Sequence, residues 1–306
     1  MSGATTPDRE QTTRSGVWLT ELLLLLMATI WGVNFSVVKF ASGAMPPFAF
    51  NSARVTLAAL ALVVLVRAAR RSLPSRGDVL RLLAIGVVGN GFYQILFVEG
   101  VARTRAGDAA LILAASPAFI ALIGHLRGSE RITRRGAAGI ALSMLGIALV
   151  VLGGSAARHG DATLLGGAFV LAASLCWSVY TVLMQPFTAT VDPLALAAIT
   201  MVGGVPVLLA TSVPALVATT WQDVSGAAWL AVFYSGILSL VAAYLCWNRG
   251  VKTIGPTRTA MFGNLQPVIA LLVAWATLGE SPRAWQLLGA GAIFAGLLLS
   301  RRVSVA

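Results

Sequence analysis

Two stretches decide the reading: GVARTRAGDAALILAASPAFIALIGHLRGSE at residues 100–130 and GVKTIGPTRTAMFGNLQPVIALLVAWATLGE at residues 250–280. A shift of 150 residues lays Gly100 on Gly250, Val101 on Val251, Pro117 on Pro267 and Glu130 on Glu280. The same shift carries Gly139 onto Gly289 and Gly146 onto Gly296. Nearer the start of each half the shift is 146, which puts Trp31 on Trp177, so a few residues were gained between these blocks. The chain reads as a duplication.

Composition says where such a chain can fold. Of 306 residues, 58% are hydrophobic and 11% charged, against about 45–50% and about 25% in soluble domains. No soluble fold hides that much apolar surface, so an integral membrane protein remains. The 2 cysteines, Cys176 and Cys246, lie inside apolar runs and read as small buried hydrophobes; neither a disulfide scaffold nor a thiolate metal site is expected. The net charge of +11 would suit nucleic acid, but nearly all of the 20 arginines and 2 lysines fall in short gaps between apolar runs. There they set membrane orientation, so nucleic acid is rejected as a partner and the lipid bilayer takes its place.

A helix needs about 20 apolar residues to cross the hydrocarbon layer. Cutting at Gly, Pro and charge gives ten spans near 18–40, 47–67, 79–100, 107–126, 135–153, 163–185, 193–214, 227–248, 256–278 and 284–300. All are expected to be helices, because lipid cannot satisfy open backbone groups. The first is too long for a signal-peptide core and is read as retained, behind a polar cytoplasmic tail at residues 1–17.

Basic residues on alternate sides fix the orientation, with Arg54 left aside inside the second span. One side holds sixteen, in the tail, in the second, fourth and eighth connections and after the last span; the other holds Lys39, Arg103, Arg105, Arg158 and Arg283. The asymmetry places both termini in the cytoplasm, the protein being a multi-pass component of the cytoplasmic membrane. The duplication divides into units at 18–153 and 163–302. Five spans is an odd number, so the second unit enters the membrane from the opposite face. Inverted repeats of this kind can expose an interfacial site first to one side and then to the other. A duplicated scaffold, a channel or an embedded enzyme are the competing readings.

Polar residues deep in lipid are costly and usually face a cavity or a bundle interior. In the first span Trp31, Asn34, Phe35 and Val38 share one helical face, and Trp177, Tyr180, Thr181 and Met184 repeat the pattern in the sixth. The third span offers Asn90, Tyr93, Gln94 and Phe97, and the eighth Tyr244, Trp247 and Asn248. Rings with polar tips suit a compact organic solute with apolar and hydrogen-bonding parts; helix packing, or an interfacial belt for Trp247, is the plainer account. Pro117 and Pro267 interrupt the fourth and ninth spans and free carbonyls four residues earlier, which marks them as flex or gating points beside Ser116, Asn264 and Gln266. Arg54 suits a substrate carboxylate, a neighbouring acid or a snorkelling position. Glu99 and His125 are conceivable proton carriers, with a packing role the alternative for the histidine. Small residues in the fifth and tenth spans, among them Gly139, Ser143, Gly146, Gly289 and Gly296, read as close helix packing.

No catalytic constellation competes: there is no nucleophile elbow, no zinc-binding histidine pair and no phosphate loop, so neither an enzyme nor a cofactor is expected. The residues assembled resemble the drug/metabolite transporter superfamily in its ten-helix form built from two EamA-type units. WGVNFSVVK at residues 31–39, Arg54 with the Ala/Leu run after it, and the stretch from Gly255 to Pro282 carry the resemblance, with a weaker first-half copy from Ser116 to Glu130. The first copy departs by having Gly128-Ser129-Glu130 where the second has Leu278-Gly279-Glu280. The resemblance implies helices around a central cavity, lined by spans one, three, four, six, eight and nine, with five and ten outside. Within the superfamily the pattern looks most like bacterial exporters of amino acids and metabolites, aromatic amino acids included. Trp31, Asn34, Arg54, Tyr93, Gln94, Trp177, Tyr180, Tyr244, Asn264 and Gln266 are the expected wall of a small-molecule path. A nucleotide-sugar or drug carrier would need more basic residues deep in the spans than Arg54 alone.

Overall fold

The computed structural model describes residues 7–127, 132–158, 161–254, 259 and 262–300. Its described residues form an all-α membrane protein. In chain order the helices are α1 (Pro7–Ala44), α2 (Pro47–Ala68), α3 (Arg76–Arg103), α4 (Ala106–Leu126), α5 (Arg134–Arg158), α6 (Asp161–Met184), α7 (Pro193–Ala218), α8 (Gly226–Ile254), α9 (Gln266–Leu278) and α10 (Ala284–Ser300). The first eight are long and apolar enough to cross a membrane, and α9 and α10 are shorter apolar helices. Helix α1 carries the polar stretch from Pro7 as a continuous extension of its apolar part. Residues 256–258, 260 and 261 of the ninth expected span, and Gly128, Ser129 and Glu130 of the first-half copy, lie outside the described residues.

Local chemistry sets the boundaries. Asp192 caps α7, its Oδ1 accepting from the Leu194 and Ala195 amides at 3.0 and 3.3 Å, ahead of Pro193 at the first helical position. Ser75 and Ser225 cap α3 and α8 in the same way. Gly279, at φ 66°, closes α9 in the left-handed conformation that lacks a penalty only without a Cβ.

Two backbone approaches recur under the sequence shifts. A Cβ on Gly146 would stand 2.7 Å from the Gly289 carbonyl oxygen, and one on Gly296 would overlap the Gly139 carbonyl. Ser143 Oγ lies between them, 3.4 Å from the Ile293 carbonyl. Since 139, 143 and 146 map onto 289, 293 and 296, each residue meets its partner's counterpart, the signature of a local twofold between antiparallel helices. The second case pairs α3 with α7 and α8 with α2: Gly86 abuts the Thr200 backbone, and a Cβ on Gly236 would stand 2.8 Å from the Arg54 carbonyl oxygen. Residues 86 and 236 correspond at a shift of 150, and 54 and 200 at a shift of 146.

Spans three and eight also share a feature the periodicity did not reveal. Val87–Phe92 and Tyr234–Ala242 are wound as π-helix. The wider turn rotates the following side chains relative to the preceding ones, and Tyr93 and Gln94 emerge directly after the first such segment.

Candidate functional site: an aromatic cavity with a buried arginine

A cavity of about 110 Å³ lies among α1, α2, α3, α4, α6, α8 and the start of α9. Trp31, Asn34, Arg54, Tyr93, Gln94, Trp177, Tyr244, Asn264 and Gln266 all line it, as do Pro117 and Pro267. Helices α5 and α10 contribute nothing to the lining. Tyr180 does not reach the cavity. It packs behind Trp177 with ring centroids 5.3 Å apart, and its hydroxyl lies 3.4 Å from Thr200 Oγ1. Asn90, Thr181, Met184, Val38 and Asn248 also lie outside the lining.

The aromatic wall is continuous. Trp31 meets Trp177 and Tyr244 edge-on at 6.2 and 5.8 Å and tilts against Trp247 at 5.8 Å. Tyr93 stacks on Phe97 at 5.7 Å and tilts against Trp177 at 5.3 Å. The Trp31 indole N–H donates to the Ser239 carbonyl at 3.0 Å, which locks the ring at the meeting of α1 and α8.

Arg54 is fully buried in this wall. Its Nε donates to Asn51 Oδ1 at 3.0 Å, Nη1 to Ser235 Oγ at 2.8 Å and Nη2 to Gln94 Oε1 at 2.6 Å. The guanidinium also lies 5.5 Å from the Phe50 ring centre and 5.8 Å from that of Phe97. These groups satisfy hydrogen bonds and supply cation–π attraction, yet none cancels the charge. No carboxylate among the described residues pairs with Arg54. Neither the neighbouring acid nor the snorkelling position anticipated for it is what the structure contains. Asn51 and Ser235, which hold it, were not legible beforehand: Asn51 lies three residues before Arg54 on the same helix face, while Ser235 is 181 residues away. Asn34 Oδ1 and Gln94 Nε2, both buried, have no hydrogen-bond partner among the described residues.

The prolines act as helix starts. Helix α4 breaks at Ala114–Ala115 and resumes at Ser116, where Pro117 needs no amide, and the freed Leu113 carbonyl accepts from Ser116 Oγ at 2.6 Å. Pro267 likewise sits in the first turn of α9, just after a turn at Asn264–Leu265. Both breaks border the cavity.

Beyond one end of the cavity lie polar contacts between segments far apart in sequence. The N-terminus of α4 receives Glu280, whose Oε2 accepts from the Ala106 amide at 3.0 Å and lies 3.8 Å from Arg105 Nε. Arg105 Nη2 donates to the Ser281 carbonyl at 2.6 Å, and Gln286 Nε2 to Asp108 Oδ1 at 2.7 Å. Beside them, Lys39 Nζ donates to the Val101, Ala102 and Thr104 carbonyls at 3.2, 2.8 and 2.6 Å. A carboxylate at a helix N-terminus and an ammonium at a helix C-terminus each meet the favourable end of a helix dipole. Ala110, the first cavity residue of α4, is about 6 Å along the helix from Ala106. Among the lining residues Phe35, Phe97 and Ala110 are buried, whereas partial exposure runs from Trp31, Leu113, Ala114, Pro117, Ile120 and Trp177 to Trp247, Gly263, Asn264 and Gln266 at the other end. Glu99 pairs with Arg103 near the end of Glu280 and Arg105, and His125 is at the far end of α4; neither lines the cavity.

The EamA-like transporter family model matches residues 18–152 and 164–302. A probable amino-acid metabolite efflux pump of Salmonella typhimurium is 27% identical over 91% of this chain and 93% of its own. A probable terminal-alkyne amino-acid exporter of Streptantibioticus cattleyicolor is 27% identical over 91% and 92%, and an uncharacterized Bacillus subtilis transporter, YyaM, 26% over 92% and 93%. A solved crystal structure superposes with a TM-score of 0.64 at 19% identity, covering 94% of this chain and 97% of that one, a likeness of fold.

Proposed function

The chain belongs to the EamA-like transporter family, a family of membrane transporters and not enzymes, and on that premise we propose that it exports amino acids or similar small metabolites. The path is the aromatic cavity, opened in turn to either side as two inverted five-helix halves, at residues 18–153 and 163–302, rock against each other. Both termini lie in the cytoplasm. The reciprocal contacts of Gly139, Ser143 and Gly146 with Gly296, Ile293 and Gly289 support the inversion, because a twofold relating antiparallel membrane-spanning helices runs in the membrane plane.

One observation supports the reading: beyond one end of the cavity Glu280 meets Arg105, while at the other end its lining reaches Trp247, two residues from Arg249 on α8. With the basic side cytoplasmic, this is a carrier resting in the state that collects solute from inside. The names of the efflux-pump and exporter relatives support the substrate class. A nucleotide-sugar carrier is disfavoured, since Arg54 is the sole cation among the described cavity-lining residues.

Counterflow into proteoliposomes preloaded with unlabelled solute tests this, using a panel of labelled amino acids, nucleosides and sugars with and without a pH gradient. Exchange of one or more amino acids is expected. Uptake confined to nucleosides or sugars, or no uptake by folded protein, contradicts it.

A further inference from the structure

Gln94 holds one orientation because of its neighbour. Its Oε1 accepts the 2.6 Å bond from Arg54 Nη2, so the amide cannot flip without setting N–H against N–H. Its backbone carbonyl is taken by Asn51 Nδ2 at 2.9 Å. What remains is Nε2, a buried double donor in the cavity wall with no partner among the described residues. Gln94 itself is 1% exposed, so water does not supply the missing acceptor cheaply. Directly behind the amide stands a positive charge that no carboxylate among the described residues balances.

We propose that Gln94 is the group that recognises the carboxylate of the transported solute, with Arg54 as the positioning residue that fixes the amide and supplies the field. An anionic oxygen against Nε2 would satisfy the orphaned donor and at once bring a negative charge to the uncompensated guanidinium. A neutral acceptor would satisfy only the first. The rest of the wall, Trp31, Tyr93, Trp177 and Tyr244, is left to an apolar or aromatic remainder. The substrate class is thereby narrowed to solutes with a free carboxylate and a ring or alkyl body. The cavity's second orphan, Asn34 Oδ1, is an acceptor suited to an ammonium on the same solute. This assignment rests on the reading of the cavity as the transport path.

The test needs no substitution for its first arm. Counterflow by the wild-type protein is compared for phenylalanine, for phenethylamine, which lacks the carboxylate, and for 3-phenylpropionate, which lacks the ammonium. Phenylalanine and phenylpropionate are expected to compete with an apparent affinity about 10- to 100-fold above phenethylamine, the range of a charge-assisted hydrogen bond. In the second arm, Gln94→Leu keeps the volume and removes the donors. It should bring acid and amine to within about threefold of each other while the elution profile stays monodisperse. Equal transport of phenylalanine and phenethylamine by the wild type overturns the carboxylate assignment and leaves the exporter reading standing. Undiminished discrimination in Gln94→Leu overturns the role of Gln94. Transport of none of the three overturns the exporter reading for this class, and this assignment with it.

Discussion

Arg54 and Thr200 occupy equivalent positions in the two halves, and the backbone treats them alike: Gly86 packs on Thr200 as Gly236 packs on Arg54. Their side chains have parted. Thr200 Oγ1 turns back on its own helix, 2.9 Å from the Leu196 carbonyl, whereas Arg54 spans three helices through Asn51, Gln94 and Ser235. The partners diverge as well, with Ala197 matching Asn51 and Tyr244 matching Gln94. Duplication thus preserved the close helix approaches while side chains at equivalent positions diverged, Arg54 and Gln94 in one half standing against Thr200 and Tyr244 in the other. Packing tolerates little variation at a glycine contact, but a cavity wall needs only the right volume, so selection for a solute can act there.

That contrast can be broken first at the shared scaffold. Gly86→Ala sets a methyl against the Thr200 carbonyl, and α3 must part from α7; a loss of about 2–3 kcal/mol of stability is expected, read as a lower aggregation temperature in detergent. Gly236→Ala, with 2.8 Å to the Arg54 carbonyl, should cost less than Gly86→Ala but still measurably. Unchanged thermal stability in both would deny the backbone contact its role. Next comes the wall: Trp177→Ala removes a ring that touches Trp31, Tyr93 and Tyr244, and flux should fall about tenfold or more while the protein stays folded in the membrane. Normal flux removes Trp177 from the path. The smallest effect is expected behind the wall, where Tyr180→Phe deletes a hydroxyl that lies 3.4 Å from Thr200 Oγ1 and lines no part of the cavity; flux within about twofold of wild type is the expected outcome. A large loss would place Tyr180 on the path after all.

The sequence yielded the scaffold more fully than the site. Apolar length and Gly/Pro punctuation placed most helix ends within a few residues of Pro47–Ala68, Pro193–Ala218 and Ala284–Ser300, because lipid leaves the backbone no choice but helix. The polar-aromatic stripes supplied Trp31, Asn34, Tyr93, Gln94, Trp177 and Tyr244 of the wall, since a buried polar group in lipid marks itself. Tyr180 misled because helical spacing places it near Trp177 without saying which of the two faces inward. Asn51, Ser235 and the contact of Glu280 with Ala106 depend on helices meeting across more than 170 residues, or on which face of α2 is buried, and no local pattern encodes that. The π-helical turns at Val87–Phe92 and Tyr234–Ala242 lack an apolar periodicity of their own to betray them.

The claim that one cavity serves both sides of the membrane is tested most directly by a single cysteine at Asn264, with Cys176 and Cys246 replaced by alanine, probed by an impermeant maleimide in sealed vesicles. At rest, labelling should come from the side of the basic loops alone; with transported solute present, or with Glu280→Gln loosening the hold on Ala106, labelling from the opposite side should rise about tenfold. Labelling from one side under every condition, or equally from both sides at rest, would contradict alternating exposure of a shared cavity.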